Sequence, residues 1–122
     1  MATILVIEDT PANMKLAVFL LQSADHTVLM AVDAEAGLTL AREQQPSLIL
    51  MDIQLPGMDG LEATRLLKKD DATRAIPVIA LTALAMKGDE ERIRAAGCDG
   101  YIAKPIRYQE FLAAVAAQLG RR

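Results

Sequence analysis

Leu48-Ile49-Leu50-Met51 is apolar at every position and is closed by a carboxylate, Asp52, after which the chain turns through Pro56-Gly57. A strand with one wet face alternates apolar and polar residues. A run without alternation reads as a strand covered on both faces, the habit of parallel sheets. Asp52 is then expected where that strand emerges at its C-terminal end, on a rigid element and open to solvent, the edge at which open α/β sheets place functional groups.

The same pattern recurs along the chain. Ile4-Leu5-Val6-Ile7 precedes Glu8-Asp9, and Val28-Leu29-Met30-Ala31 forms a weaker second run. Val78-Ile79-Ala80-Leu81 ends at Thr82-Ala83, and Tyr101-Ile102-Ala103 ends at Lys104-Pro105. Helical periodicity fills the intervals. Thr10 is a candidate cap for a helix beginning at Pro11, with Met14, Ala17, Val18 and Leu21 on one face. Asp33 is a candidate cap for a second helix whose inner face would carry Ala36, Leu40 and Ala41 or close neighbours, and Asp59 for a third built on Leu61, Thr64 and Leu67, with Lys68 at the edge of its stripe. Glu90, Glu91, Arg92 and Arg94 mark a polar fourth helix that Gly97 terminates, and Phe111, Leu112, Val115 and Leu119 face inward from a fifth. Met14, Met30 and Met51 read as core or near-core. Five strands alternating with five helices through short connections call for a parallel sheet with helices on both faces.

The 122 residues suit one domain, spanning 1–122, with no effector domain following. A net charge of −3 argues against nucleic acid as a partner. The single cysteine, Cys98, excludes an internal disulfide and reads as a packed residue, and no segment resembles a targeting peptide or membrane span. A cytoplasmic protein, monomeric or weakly dimeric, is expected.

In a parallel sheet the strand ends share one edge. Were strands one and three neighbours, Glu8, Asp9 and Asp52 would crowd together, and like charges oppose ionisation. Protonation or a hard divalent cation such as Mg2+ would relieve them. Lys104 adds a point positive charge, Thr82 a hydroxyl and Ala83 a backbone N–H. A cation, an ammonium, a hydroxyl and an amide around a nucleophilic carboxylate suit phosphoryl transfer.

Each residue alone has an ordinary reading: Asp52 as a turn former, Thr82 as a helix cap, Lys104 as a solvated charge, Tyr101 as a static strand residue, Glu8 as an exposed acid favourable near a helix start. Together, Glu8-Asp9, Met51 to Gly60, Pro77 to Ala83 and Tyr101 to Pro105 resemble the receiver domain of two-component response regulators over essentially the whole chain. The segment from Ala83 to Arg92 is similar to that of single-domain cell-cycle regulators and of receivers attached to hybrid kinases.

The resemblance implies a flavodoxin-like sheet of order 2-1-3-4-5. It implies that Asp52 accepts a phosphoryl group from a histidine kinase or histidine phosphotransfer protein. Asp9, Asp52 and the Gln54 backbone carbonyl would hold Mg2+, with Glu8 acting through water. Lys104, Thr82 and the Ala83 N–H would contact the phosphoryl oxygens, Thr82 and Tyr101 would form a switch, and the bond before Pro105 would be cis. A downstream protein would read the face made by helix 4, strand 5 and helix 5. Gln54 and Leu84 flank the expected path of attacking water.

Rival readings are weaker. A Mg-dependent phosphohydrolase of the haloacid-dehalogenase type wants an acid two residues after its nucleophile, where this chain has Gln54. A flavin carrier wants a phosphate cradle after strand one, where Glu8-Asp9 would repel phosphate. A phosphorylation-independent docking domain would not need the intact acid set.

Overall fold

The computed structural model describes residues 2–83 and 87–120. The elements run β1 (Thr3–Ile7), α1 (Pro11–Ser23), β2 (Thr27–Ala31), α2 (Ala34–Gln44), β3 (Leu48–Asp52), α3 (Gly60–Lys69), β4 (Val78–Thr82), α4 (Lys87–Ala95), β5 (Gly100–Ala103) and α5 (Tyr108–Leu119). The strands form one sheet in the order β2-β1-β3-β4-β5, parallel throughout.

Strand alternation sorts the core into two layers. Leu5, Ile7, Ile49, Met51, Val78 and Ala80 face α2, α3 and α4, whereas Ile4, Val6, Leu48, Leu50, Ile79 and Leu81 face α1 and α5. All five residues of β3 are buried, as its unbroken apolar run requires of the central strand.

Helix starts follow local chemistry at two of the three expected caps. The Asp33 carboxylate accepts from the Ala36 N–H at 2.8 Å, and that of Asp59 from the Glu62 N–H at 2.9 Å. Thr10 occupies the cap position of α1, but its side chain makes no capping hydrogen bond. Its own N–H is instead drawn to Glu8 Oε2 at 3.1 Å, so the acid before the helix dictates the turn.

Two inward assignments are corrected. Ala36 is exposed, and α2 turns Ala34, Gly37 and Ala41 to the core. A side chain at Gly37 would meet Ile7, so the bare backbone is what lets α2 lie close to β1. Met30 is 58 % exposed, because β2 is an edge strand. It lines an open apolar groove with Met14, Val18, Phe19 and Val32.

Lys68 is more than the edge of a stripe. Its ammonium donates to the Ile76 carbonyl at 2.8 Å and pairs with Asp99 at 3.1 Å, and Asp99 also accepts from the Val78 N–H at 2.8 Å. This ties the end of α3 to the starts of β4 and β5, at the sheet edge remote from Asp52. Cys98 is buried nearby, with Sγ 3.8 Å from Thr64 Oγ1, and burial pushes its thiol pKa up. A thiol held protonated is a poor nucleophile, which fits a packing role.

Candidate functional site

The C-terminal ends of β1, β3, β4 and β5 carry the polar residues to one edge. Ile7 pairs with Met51, and the Glu8 N–H donates to the Ala31 carbonyl at 3.0 Å. The chain therefore stays in register one step beyond β1, which puts Glu8 beside Asp52. Asp52 is itself the last residue of β3 and pairs with Leu81. The Lys104 N–H donates to the Thr82 carbonyl at 2.8 Å, bringing the lysine to the same edge, and the Lys104–Pro105 peptide is cis.

The acids do crowd. Glu8, Asp9 and Asp52 each offer an oxygen, all within 4.8 Å of one another. Lys104 Nζ lies 3.1 Å from Glu8 Oε1 and 3.3 Å from Asp52 Oδ1, so the ammonium bridges two carboxylates. Asp52 Oδ1 also accepts from the Gln54 N–H at 2.9 Å, which folds the following loop back onto it.

The expected exposure of Asp52 is corrected here, and the ordinary reading of Glu8 as an exposed acid falls with it. Asp52 and Glu8 are each only 1 % exposed, and Asp9 alone of the three is open to solvent. The cause is tertiary: the loops after β1 and β3 and the Lys104 side chain close over the strand ends. Burial, with the Asp52 carboxyl alongside, raises the pKa of Glu8, against the opposing pull of the Thr10 N–H and Lys104. Glu8 Oε1, although at ion-pair distance from Lys104, has no hydrogen-bond partner among the described residues. A buried carboxylate oxygen short of a donor, next to two further acids, fits a hard cation that takes oxygen ligands. The residues present therefore suit Mg2+.

The remaining residues fall around this centre. Thr82 is fully buried at the end of β4, and Ala83 follows it at the surface. Gln54 is exposed, two residues past Asp52. Tyr101 pairs in register with Ala80, two residues before Thr82, and is half-buried against the α4-side core. Its hydroxyl donates to Glu90 Oε2 at 3.3 Å. Leu84 lies outside the described residues. His26 accepts from the Ala2 N–H at 3.2 Å, at the opposite edge of the sheet, and takes no part in the site.

One structural requirement of the site carried little sequence signal. Gly60 opens α3 directly beneath Asp52, and its N–H donates to the Ile53 carbonyl at 3.1 Å. A Cβ there would overlap the Asp52 carbonyl oxygen and lie 2.6 Å from Ile53 Cα. Only the absence of a side chain lets α3 start this close to the strand that carries Asp52.

A family model described as the response regulator receiver domain matches residues 4–116. The polar-differentiation response regulator DivK of Brucella anthropi is 49 % identical over 118 residues, which span 97 % of this chain and 96 % of that protein. DivK of Brucella ovis is 48 % identical over the same shares. Among solved structures, the receiver domain of the sensor histidine kinase PA1611 from Pseudomonas aeruginosa superposes with a TM-score of 0.90 at 35 % identity, covering 98 % of each chain. That structure holds a magnesium ion coordinated in its active-site cleft. The chemotaxis response regulator CheY4 of Vibrio cholerae shares the fold, with a TM-score of 0.92 at 23 % identity over 97 % of this chain and 98 % of its own.

Proposed function

The chain belongs to the response regulator receiver family, and from that membership we propose that Asp52 accepts a phosphoryl group from a phosphohistidine on a histidine kinase or histidine phosphotransfer protein. The observation that carries this reading is the cluster itself: three acids within 4.8 Å, two of them buried and bridged by one lysine.

In the transfer, a carboxylate oxygen of Asp52 forms the new P–O bond as the P–N bond to the donor imidazole breaks. The bonding pair goes to the imidazole nitrogen, which takes up a proton. The Asp52 and Asp9 carboxylates and the Gln54 carbonyl would hold Mg2+, with Glu8 acting through water. The ion, when bound, offsets negative charge on the phosphoryl oxygens. Asp9 is the exposed acid, so the donor approaches from its side. Asp52 is held by its last ladder pairing and by the Gln54 N–H, so the nucleophile is positioned before the donor arrives.

After transfer, the ammonium of Lys104 follows the new dianion away from Glu8, and the Thr82 hydroxyl and Ala83 N–H complete its hydrogen bonds. Thr82 and Tyr101 share one face of the sheet, with Tyr101 two register pairs behind. A Thr82 drawn toward the phosphoryl group frees room for the Tyr101 ring. The face of α4, β5 and α5 then changes, and a downstream protein reads it. The protein is a signalling domain whose only chemistry is its own phosphorylation and dephosphorylation. A phosphohydrolase reading is disfavoured by Gln54, an amide where that chemistry needs an acid.

Intact mass after incubation with acetyl phosphate and Mg2+ tests the assignment. The wild-type chain is expected to gain one phosphoryl group and Asp52→Asn none. Gain by neither would leave the docking-domain reading in its place, and equal gain by both would put the phosphoryl group on a residue other than Asp52.

A further inference from the structure

Tyr101 is tethered, and the tether comes from a residue that the site does not otherwise use. Its hydroxyl meets Glu90 Oε2 at 3.3 Å, and the other oxygen of Glu90 lies 3.9 Å from Arg94 Nε, one turn along α4. Glu90 stands in the first turn of that helix. The anchors of α4 lie later: Ile93 is 1 % exposed and Ala96, just past its end, 3 %. In the first turn Gly88 is exposed, and Asp89 and Glu90 are only half-buried. The contact with Tyr101 is thus a polar tie between β5 and the weakly anchored end of α4.

We propose that Glu90 is a positioning residue that holds Tyr101 by its hydroxyl and thereby biases the switch toward the unphosphorylated surface. This rests on the phosphorylation reading above. The physics is a difference between two states. When the ring turns toward Thr82 its hydroxyl must leave Glu90, so the bond stabilises one orientation and not the other. Only such a differential contact can shift an equilibrium. Arg94, from its place one turn on, keeps the carboxylate of Glu90 directed along the helix. A phosphoryl group on Asp52 must then overcome this bias as well as order Thr82. By linkage, weakening the tie must strengthen binding of anything that favours the turned ring, by the same factor.

The test uses the full chain carrying Tyr108→Phe and 3-fluorotyrosine, so that Tyr101 gives the only fluorine resonance. Beryllofluoride with Mg2+ serves as a reversible phosphoryl mimic. In the otherwise wild-type chain the resonance is expected to move on saturation. Glu90→Ala is expected to shift the ligand-free resonance part of the way toward that position and to tighten beryllofluoride binding about fivefold, the worth of one modest hydrogen bond. Glu90→Gln, which keeps a carbonyl acceptor, is expected to restore both values. In a Tyr101→Phe background, Glu90→Ala should give no further gain in affinity. A resonance that moves on binding yet stays unchanged by Glu90→Ala overturns the tether alone, as does an affinity gain that persists with Tyr101→Phe. A resonance that does not move in the wild-type chain overturns the switch reading, and the tether with it.

Discussion

Lys104→Met is expected to slow labelling of Asp52 by acetyl phosphate roughly 10²–10³-fold, the usual cost of removing one charge-stabilising donor from a phosphoryl or acyl transfer site. The same change is expected to tighten Mg2+ binding, measured by calorimetry, about tenfold, or 1.4 kcal/mol. The two effects have opposite signs because the lysine has two jobs. In the structure its ammonium lies 3.1 Å from Glu8 and 3.3 Å from Asp52, where it neutralises acids that a divalent ion would otherwise attract. Unit charges about 4 Å apart near a protein surface interact by roughly 4 kcal/mol, so a tenfold gain asks for only part of that repulsion to be relieved.

A further consequence concerns stability. The side chain of Lys104 is 15 % exposed and its partners nearly inaccessible, so methionine leaves two buried carboxylates without their cation. Breaking a buried pair costs about 3–5 kcal/mol, and thermal melting in EDTA should show a fall of that order. Saturating Mg2+ should recover more of the melting temperature in the variant than in the wild-type chain. Weaker Mg2+ binding by the variant would mean that the lysine supports the cation site instead of competing for it.

The second large effect is at Gly60. Gly60→Ala is expected to destabilise the chain by about 3 kcal/mol, at the upper end for overpacking, because the methyl group meets fixed backbone rather than a side chain that can turn away. The overlap is with the Asp52 carbonyl and Ile53 Cα, so the strain falls on the residues that aim the carboxylate. Mg2+ affinity and acetyl phosphate labelling should therefore fall even in the molecules that remain folded. Gly88→Ala supplies the contrast. Gly88 is the second residue of α4, and among the described residues nothing lies within 4 Å of where a Cβ would stand. The same substitution there should be neutral or stabilise by up to about 1 kcal/mol, through loss of unfolded-state freedom. Urea denaturation of the two variants reads the difference directly, and similar midpoints for both would refute the close-approach argument.

What could be read from the chain, and what could not, divides along physical lines. The strands were legible because burial on both faces leaves a short unbroken apolar run, as in Leu48 to Met51, too brief for a helix and closed by polar and turn residues. The edge of the sheet was legible because the runs end in Glu8, Asp52, Thr82 and Lys104, and parallel strands bring such ends together. Burial at that edge was not. The near-complete enclosure of Asp52 and Glu8 depends on where Lys104 and two loops settle, and no local pattern encodes it. Met30 misled for a related reason: its composition matched a core strand, but order in the sheet made β2 an edge. The roles of Lys68, Gly60 and Glu90 are invisible in sequence for a third reason. Each acts through a contact with another element, and a lysine, a glycine and a glutamate on helices are ordinary in isolation.

Trapping the modified residue tests the central claim most directly. The wild-type chain is treated with acetyl phosphate and Mg2+, reduced with borohydride, which converts an acyl phosphate to an alcohol, and mapped by peptide mass. Homoserine at position 52, dependent on Mg2+ and absent without acetyl phosphate, is the predicted result. Homoserine at Asp9 or another acid instead of Asp52, or none in a folded chain, would contradict the account.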